Sequence, residues 1–301
     1  MAIKSHFMTK VFLDYDQKAL DDAYDQSVYA PNREQLLARL ARASELVRQR
    51  IGPPERFAYG SSEIEKLDVY RPRRSSAPIN VFIHGGAWRA GSARDYGYPA
   101  EMHINAGAHF VALDFANVIE TGGDLLPMAE QVRRAIAWVF KNAARFGGDA
   151  TRLYVSGTSS GAHLGAVAAS SDWTKYGLPE KPVRGYALCS GMYDLRGPRL
   201  SRRSSYVKFT DEIEAALSPQ RHIERINAPI VLVVGSLETP EFQRQSREFA
   251  DALTRAGKSA ELIYAEGYNH FEIAETLANP YGPMGRALLA LMNLGSDPCR
   301  S

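Results

Sequence analysis

From Ile79 onward the chain alternates short apolar runs with amphipathic stretches, and that alternation leaves few folds open. The runs "INVFIHGG", "AHFVALDF", "RLYVSG", "VRGYALCSG", "APIVLVVGS" and "AELIYAEG" read as strands. Between them, "LLPMAEQVRRAIAWVFKNAARFGG" sets Met128, Val132, Ala135, Ile136, Val139 and Phe140 at helical spacing and stops on glycines. "SGAHLGAVAASS", "PEFQRQSREFADALTRAG" and "MGRALLALMNLG" read as further helices. Apolar strands separated by helices predict an α/β domain with a mostly parallel sheet covered on both faces.

No repeat, low-complexity tract or linker divides the 301 residues, so one domain over 1–301 is expected. The first sixty residues read as a helical segment, with "DQKALDDAYDQS" and "NREQLLARLARASELVRQRI" spaced three and four apart and Gly52-Pro53-Pro54 as the stop. About 194–225 breaks the rhythm and is expected to form a small helical insertion over the C-terminal ends of the strands, where open α/β sheets bind ligands.

The joint between "RLYVS" and the following helix carries the chemistry. Gly157-Thr158-Ser159-Ser160-Gly161 is a Gly-x-Ser-x-Gly pattern between strand and helix. A sharp turn there holds the central residue, Ser159, in a strained backbone with its hydroxyl exposed, as a nucleophile requires. A plain glycine-rich turn would give the same five letters, so the reading depends on partners. Seventy-five residues upstream, His84-Gly85-Gly86-Ala87-Trp88 follows an apolar strand. Glycines let backbone N–H groups approach a developing oxyanion, and the donors are assigned to Gly86, Ala87 and Ser160.

The base and its orienter should follow in the order serine, acid, histidine. His270, on a loop past the last strand, is the base. Glu238, the first carboxylate past "PIVLVVG", is the acid. Glu241 reads as support for a helix N-terminus, whereas Glu266 and Glu272 lie on the base's own loop. His103, His109, His163, His222 and His6 read as structural or exposed. Trp88, Tyr193, Tyr206 and Phe209 are candidates to line an apolar pocket, and the arginines of "RGPRLSRRSS" could meet a carboxylate.

The totals exclude other classes. Thirty-six basic against 34 acidic side chains leave a net charge of +2, which favours neither nucleic acid nor a membrane surface as partner. Cys189 reads as a buried core thiol and Cys299 as a free thiol in a polar tail. Two cysteines make no disulfide framework, and no paired Cys or His spacing suggests a metal. No signal peptide or membrane span is evident, so a cytoplasmic location is expected. The expected partner is a small-molecule substrate; a homodimer stays open.

Taken together, "HGGAW", "GTSSGAHL", "GSLETPEFQRQS" and "GYNHFEI" resemble the arylformamidase-like branch of the α/β-hydrolase superfamily, which includes kynurenine formamidases and small bacterial carboxylesterases. The likeness extends from Leu67 nearly to the end and includes "SGMYDLRGPRL", "YVKFTDEIEAALSPQRHI" and "ETLANPYGPMGRALL". It implies Ser159 as nucleophile, His270 as general base and acid, Glu238 as orienter, an HGGxW oxyanion loop, and no metal or organic cofactor. Ser160 stands where alanine is usual, and Glu238 where the eukaryotic formamidases have aspartate. The implied reaction is hydrolysis of a small aromatic ester or aryl formamide through an acyl-enzyme. N-Formylkynurenine is the alternative substrate, and a non-catalytic ligand-binding protein the remote one.

Overall fold

The computed structural model describes residues 9–295; His6 and Cys299 lie outside them. In chain order the elements are α1 (Gln17–Ala23), α2 (Gln26–Tyr29), α3 (Arg33–Ile51), β1 (Glu55–Ala58), β2 (Lys66–Tyr70), β3 (Ala77–Ile83), α4 (Ala100–Asn105), β4 (His109–Leu113), α5 (Leu126–Asn142), β5 (Gly148–Thr158) and α6 (Ser160–Ala169). There follow β6 (Val183–Cys189), α7 (Arg196–Leu200), α8 (Asp211–Ala216), β7 (Ile230–Gly235), α9 (Pro240–Arg255), β8 (Ala260–Ala265), α10 (His270–Glu275) and α11 (Pro283–Leu291).

The eight strands form one sheet in the order β1-β2-β4-β3-β5-β6-β7-β8. The pairs from β4 across to β8 are parallel, and β1 and β2 add an antiparallel edge. β3 is buried at every position because both its faces are covered. Ile79, Val81 and Ile83 face one apolar core with residues of α5, α6 and α9, and Phe82 faces a second core with residues of α3, α4, α10 and α11. A strand buried on both sides reads as a continuous apolar run.

The N-terminal reading needs one correction. Three helices account for half of the first sixty residues, but Glu55–Ala58 is a strand. Only one of its four residues escapes full exposure, so it has no apolar alternation to betray it. The segment 194–225 contains α7, α8 and three short 3₁₀ turns, Arg202–Ser205, Pro219–Arg221 and Ile223–Arg225, and no strand.

From β3 the chain crosses to β4 on one side and then to β5 on the other. The loops after β3 and β5 therefore diverge at a topological switch point, where α/β sheets open a crevice.

Candidate active site

Ser159 links β5 to α6 with φ 56° and ψ −123°, a left-handed conformation that costs a non-glycine residue roughly 1–3 kcal/mol. Its N–H donates to Cys189 O (2.8 Å), which ties the turn to the end of β6. Gly161 is required by close approach: a Cβ there would lie 2.1 Å from Ile83 O and 2.4 Å from His84 O. Glycine thus lets the start of α6 press against the end of β3.

The loop after β3 is bent to match. Gly86, Ala87 and Trp88 all have positive φ (117°, 55° and 64°), and a Cβ on Gly86 would sit 1.9 Å from Ala90 O. The N–H groups of Gly86, Ala87 and Ser160 donate to no other group among the described residues. Ser160 opens α6, so its N–H has no intrahelical acceptor.

His270 and Glu238 meet in a buried contact, with Nδ1 2.6 Å from Oε2. The bond to the carboxylate assigns the proton to Nδ1 and leaves Nε2 as an acceptor. His270 is not in a loop, as the sequence suggested. It is the first residue of α10, whose N-cap is Asn269, in a capping box with Glu272. Six residues give too little periodicity to read as a helix, although Asn269-x-x-Glu272 is itself a start signal.

Glu238 is held on both oxygens. Oε1 accepts from the Ser190 hydroxyl and from Gly235 N–H (2.8 Å). Oε2 accepts from Gln26 Nε2 (3.0 Å) as well as facing His270. Neither Ser190 nor Gln26 was singled out in the sequence. The signal for Ser190 was its place, a small polar residue directly after the strand beside the elbow. Gln26 had no local signal, because it reaches the site across 212 residues of chain.

Ser159 and His270 border one cavity of about 610 Å³, a size that suits a small organic ligand. No hydrogen bond joins their side chains; such bonds commonly tighten only when substrate is bound. Leu37 and Leu40 of α3, together with Tyr24, Tyr96 and Phe271, give the cavity apolar and aromatic walls.

The expected lining residues divide. Tyr206 borders the cavity, with Arg89 stacked 4.7 Å above its ring. Trp88, Tyr193 and Phe209 do not. Trp88 is buried and donates from Nε1 to His163 Nδ1 (3.1 Å), and Phe209 packs edge-on against it. Tyr193 is stacked on Phe249 in the core. These rings are large enough to fill the space between loop and helix, and that packing claims them.

His163 in turn lies 2.8 Å from Leu217 O through Nε2. Its pKa is pushed down to about 4 by burial, so it is neutral and bridges the loop after β3, α6 and the 194–225 segment. His103 is buried and lowered to about 4 in the same way. Cys189 also borders the cavity, but burial, helped by nearby Glu238, pushes its thiol far up and leaves it protonated.

The arginines divide too. Arg199 pairs with Asp211 and Glu214, and Arg202 with Asp25. Arg203 is buried at the cavity wall over the ring of Trp88 (5.4 Å), donating to Tyr24 O and the Tyr206 hydroxyl (both 2.9 Å). Among the described residues no carboxylate pairs with Arg203, Arg89 or Arg33, all of which border the cavity. Glu241 is buried, bound by Arg244 and by the Tyr24 hydroxyl (2.7 Å), away from the imidazole.

Among the described residues no cluster of three or more His, Cys, Asp or Glu is placed to hold a metal ion, and no helix is long and apolar enough to cross a membrane.

Comparison with known proteins then decides the family. The chain is 34% identical over 241 residues to the kynurenine formamidase of Danio rerio, covering 78% of this chain and 80% of that one. It belongs to the arylformamidase and esterase family of α/β hydrolases. A family model described as BD-FAE matches residues 67–182, which span β2 through α6 and so include both the loop after β3 and the turn at Ser159. Esterase LipC of Mycobacterium tuberculosis is 29% identical over 262 residues, covering 79% of this chain and 64% of its own. In three dimensions esterase LipW of Mycobacterium marinum superposes with a TM-score of 0.69 at 21% identity, covering 90% of this chain and 91% of that one, a likeness of fold.

Proposed function

We propose that this member of the family hydrolyses small aromatic carboxylic esters or aryl formamides through an acyl-enzyme on Ser159, with His270 and Glu238 completing a triad. The observation that carries the proposal is the joint geometry of Ser159, strained at its elbow, and of an imidazole fixed by Glu238 on the wall of the same cavity. His270 Nε2 takes the hydroxyl proton as Ser159 Oγ attacks the carbonyl carbon. The tetrahedral oxyanion is met by the free N–H groups of Gly86, Ala87 and Ser160. The imidazolium gives its proton to the departing alcohol or amine; water, deprotonated by the same histidine, then cleaves the acyl-enzyme. Glu238 fixes the ring tautomer and stabilises its charged form. No step calls for a metal or an organic cofactor.

The cavity favours an aromatic or short acyl group by its size and its aromatic walls. A second reading, hydrolysis of N-formylkynurenine, is supported by the identity to the Danio rerio kynurenine formamidase and by three cavity arginines without a carboxylate partner among the described residues, since that substrate carries a carboxylate. Steady-state kinetics on p-nitrophenyl acetate and N-formylkynurenine, compared side by side, test both. A larger kcat/KM for the formyl amide than for the activated ester makes the protein a formamidase. In that case Arg89→Met raises KM for N-formylkynurenine and leaves that for p-nitrophenyl acetate unchanged. Ester turnover with negligible formamide turnover makes it an esterase. Turnover of neither, with no covalent labelling of Ser159 by a fluorophosphonate, contradicts the proposal.

A further inference from the structure

The N-terminal helices, which the BD-FAE match does not include, reach the reacting groups at two points. Gln26, the first residue of α2, is buried with its amide between Glu238 and α9: Nε2 donates to Glu238 Oε2 (3.0 Å) and Oε1 accepts from Thr239 N–H (3.3 Å). This Oε2 is the oxygen that faces His270. Six residues on, Asn32 accepts from Asn269 Nδ2 (3.0 Å) and donates to Glu272 Oε1 (2.9 Å), and so engages both members of the capping box that sets the start of α10 and with it His270.

The segment is itself anchored. Arg203 donates to Tyr24 O, Arg202 N–H donates to Asp21 Oδ1 (2.6 Å), and the Tyr24 hydroxyl donates to Glu241. Because Glu238 leaves the sheet on a short turn between β7 and α9, its second oxygen has no backbone donor of its own among the described residues. Gln26 supplies a side-chain donor in its place.

We infer that Gln26 is a positioning residue for the reaction: its amide, fixed at both ends, aims Glu238 Oε2 at His270 Nδ1. The inference rests on the triad reading above. A neutral donor to a carboxylate is worth enough for its removal to lower a rate about tenfold or somewhat more. The loss falls on the chemical step, which uses the His270–Glu238 contact, and not on substrate affinity.

The test is a double-mutant cycle on full-length protein with p-nitrophenyl acetate, using Gln26→Leu, Glu238→Gln and the pair. The expected result is a loss of roughly tenfold in kcat for Gln26→Leu with KM within about twofold of wild type, a far larger loss for Glu238→Gln, and no further loss in the double variant. Gln26→Met keeps the length and most of the volume but removes the donor, and it decides the matter if the leucine variant fails to fold: the same loss in kcat at unchanged KM is expected. A merely structural glutamine predicts a lower melting temperature with wild-type kcat in both variants. Losses that add in the double variant, or a Gln26→Leu enzyme with wild-type kcat, overturn the positioning role while the triad stands. If Glu238→Gln retains full activity, the triad reading falls, and the role of Gln26 with it.

Discussion

At single residues, the demands of the site are steric as much as chemical. Gly161 is the sharpest case. Its missing side chain is what allows β3 and α6 to touch, so Gly161→Ala must push the elbow off its strained geometry. We expect a loss of at least about 100-fold in kcat/KM together with a lower melting temperature, read by steady-state kinetics and thermal denaturation. Trp88 has a different task from the one its position in the sequence suggests. It does not border the cavity; it pins the loop after β3 to His163. Trp88→Phe removes one hydrogen bond and keeps most of the packing, so kcat should fall about three- to tenfold with KM nearly unchanged. A rise in KM alone would return Trp88 to the pocket wall.

Elements differ in how far the sequence reveals them. The parallel strands β3 to β8 and the long helices α5 and α9 were legible because each is long enough for its burial pattern to show as a run or a period. Ser159, Glu238 and His270 could be singled out because they lie one, three and five residues past the ends of β5, β7 and β8. Short elements were not. β1 lies on the sheet edge and is polar, and α10 is one and a half turns of helix held by its cap. Gln26, Ser190 and Asn32 act through contacts between segments far apart in the chain, and no local pattern encodes such a contact. Trp88, Tyr193 and Phe209 show the converse: aromatic residues near a site are claimed by the core unless the backbone aims them at the cavity. The cap of α10 gives a test at this scale. Asn269→Ala should cost about 1 kcal/mol in chemical denaturation, and because His270 is the first helical residue it should also lower kcat. Unchanged kcat would show that His270 is held by Glu238 alone.

At the scale of the whole molecule, burial lowers the pKa of four histidines among the described residues, His84, His103, His109 and His163, and this shapes its behaviour in acid. His103 and His163 both have folded-state pKa values of about 4, lowered by burial, against about 6.5 in the unfolded chain. Between those values the unfolded state binds more protons, so stability rises with pH. It is fully present above about pH 6.5, is lost progressively as the pH falls towards 4, and for these two groups levels off below that. The loss is roughly 3 kcal/mol for each histidine. Denaturation midpoints measured between pH 7 and pH 4 should fall accordingly, and His103→Gln should flatten the slope; a slope unchanged in that variant would place the acid sensitivity elsewhere.

The central claim, that the strained elbow presents a nucleophile activated by His270, is tested most directly by covalent capture. Wild type, Ser159→Ala and His270→Ala should each be treated with a fluorophosphonate at neutral pH and the modified peptide located by mass spectrometry. The account predicts stoichiometric labelling of Ser159 in the wild type, no labelling in Ser159→Ala, and a rate at least about 10³-fold lower in His270→Ala. Labelling of Ser160 instead, or a rate that ignores the loss of His270, would contradict it.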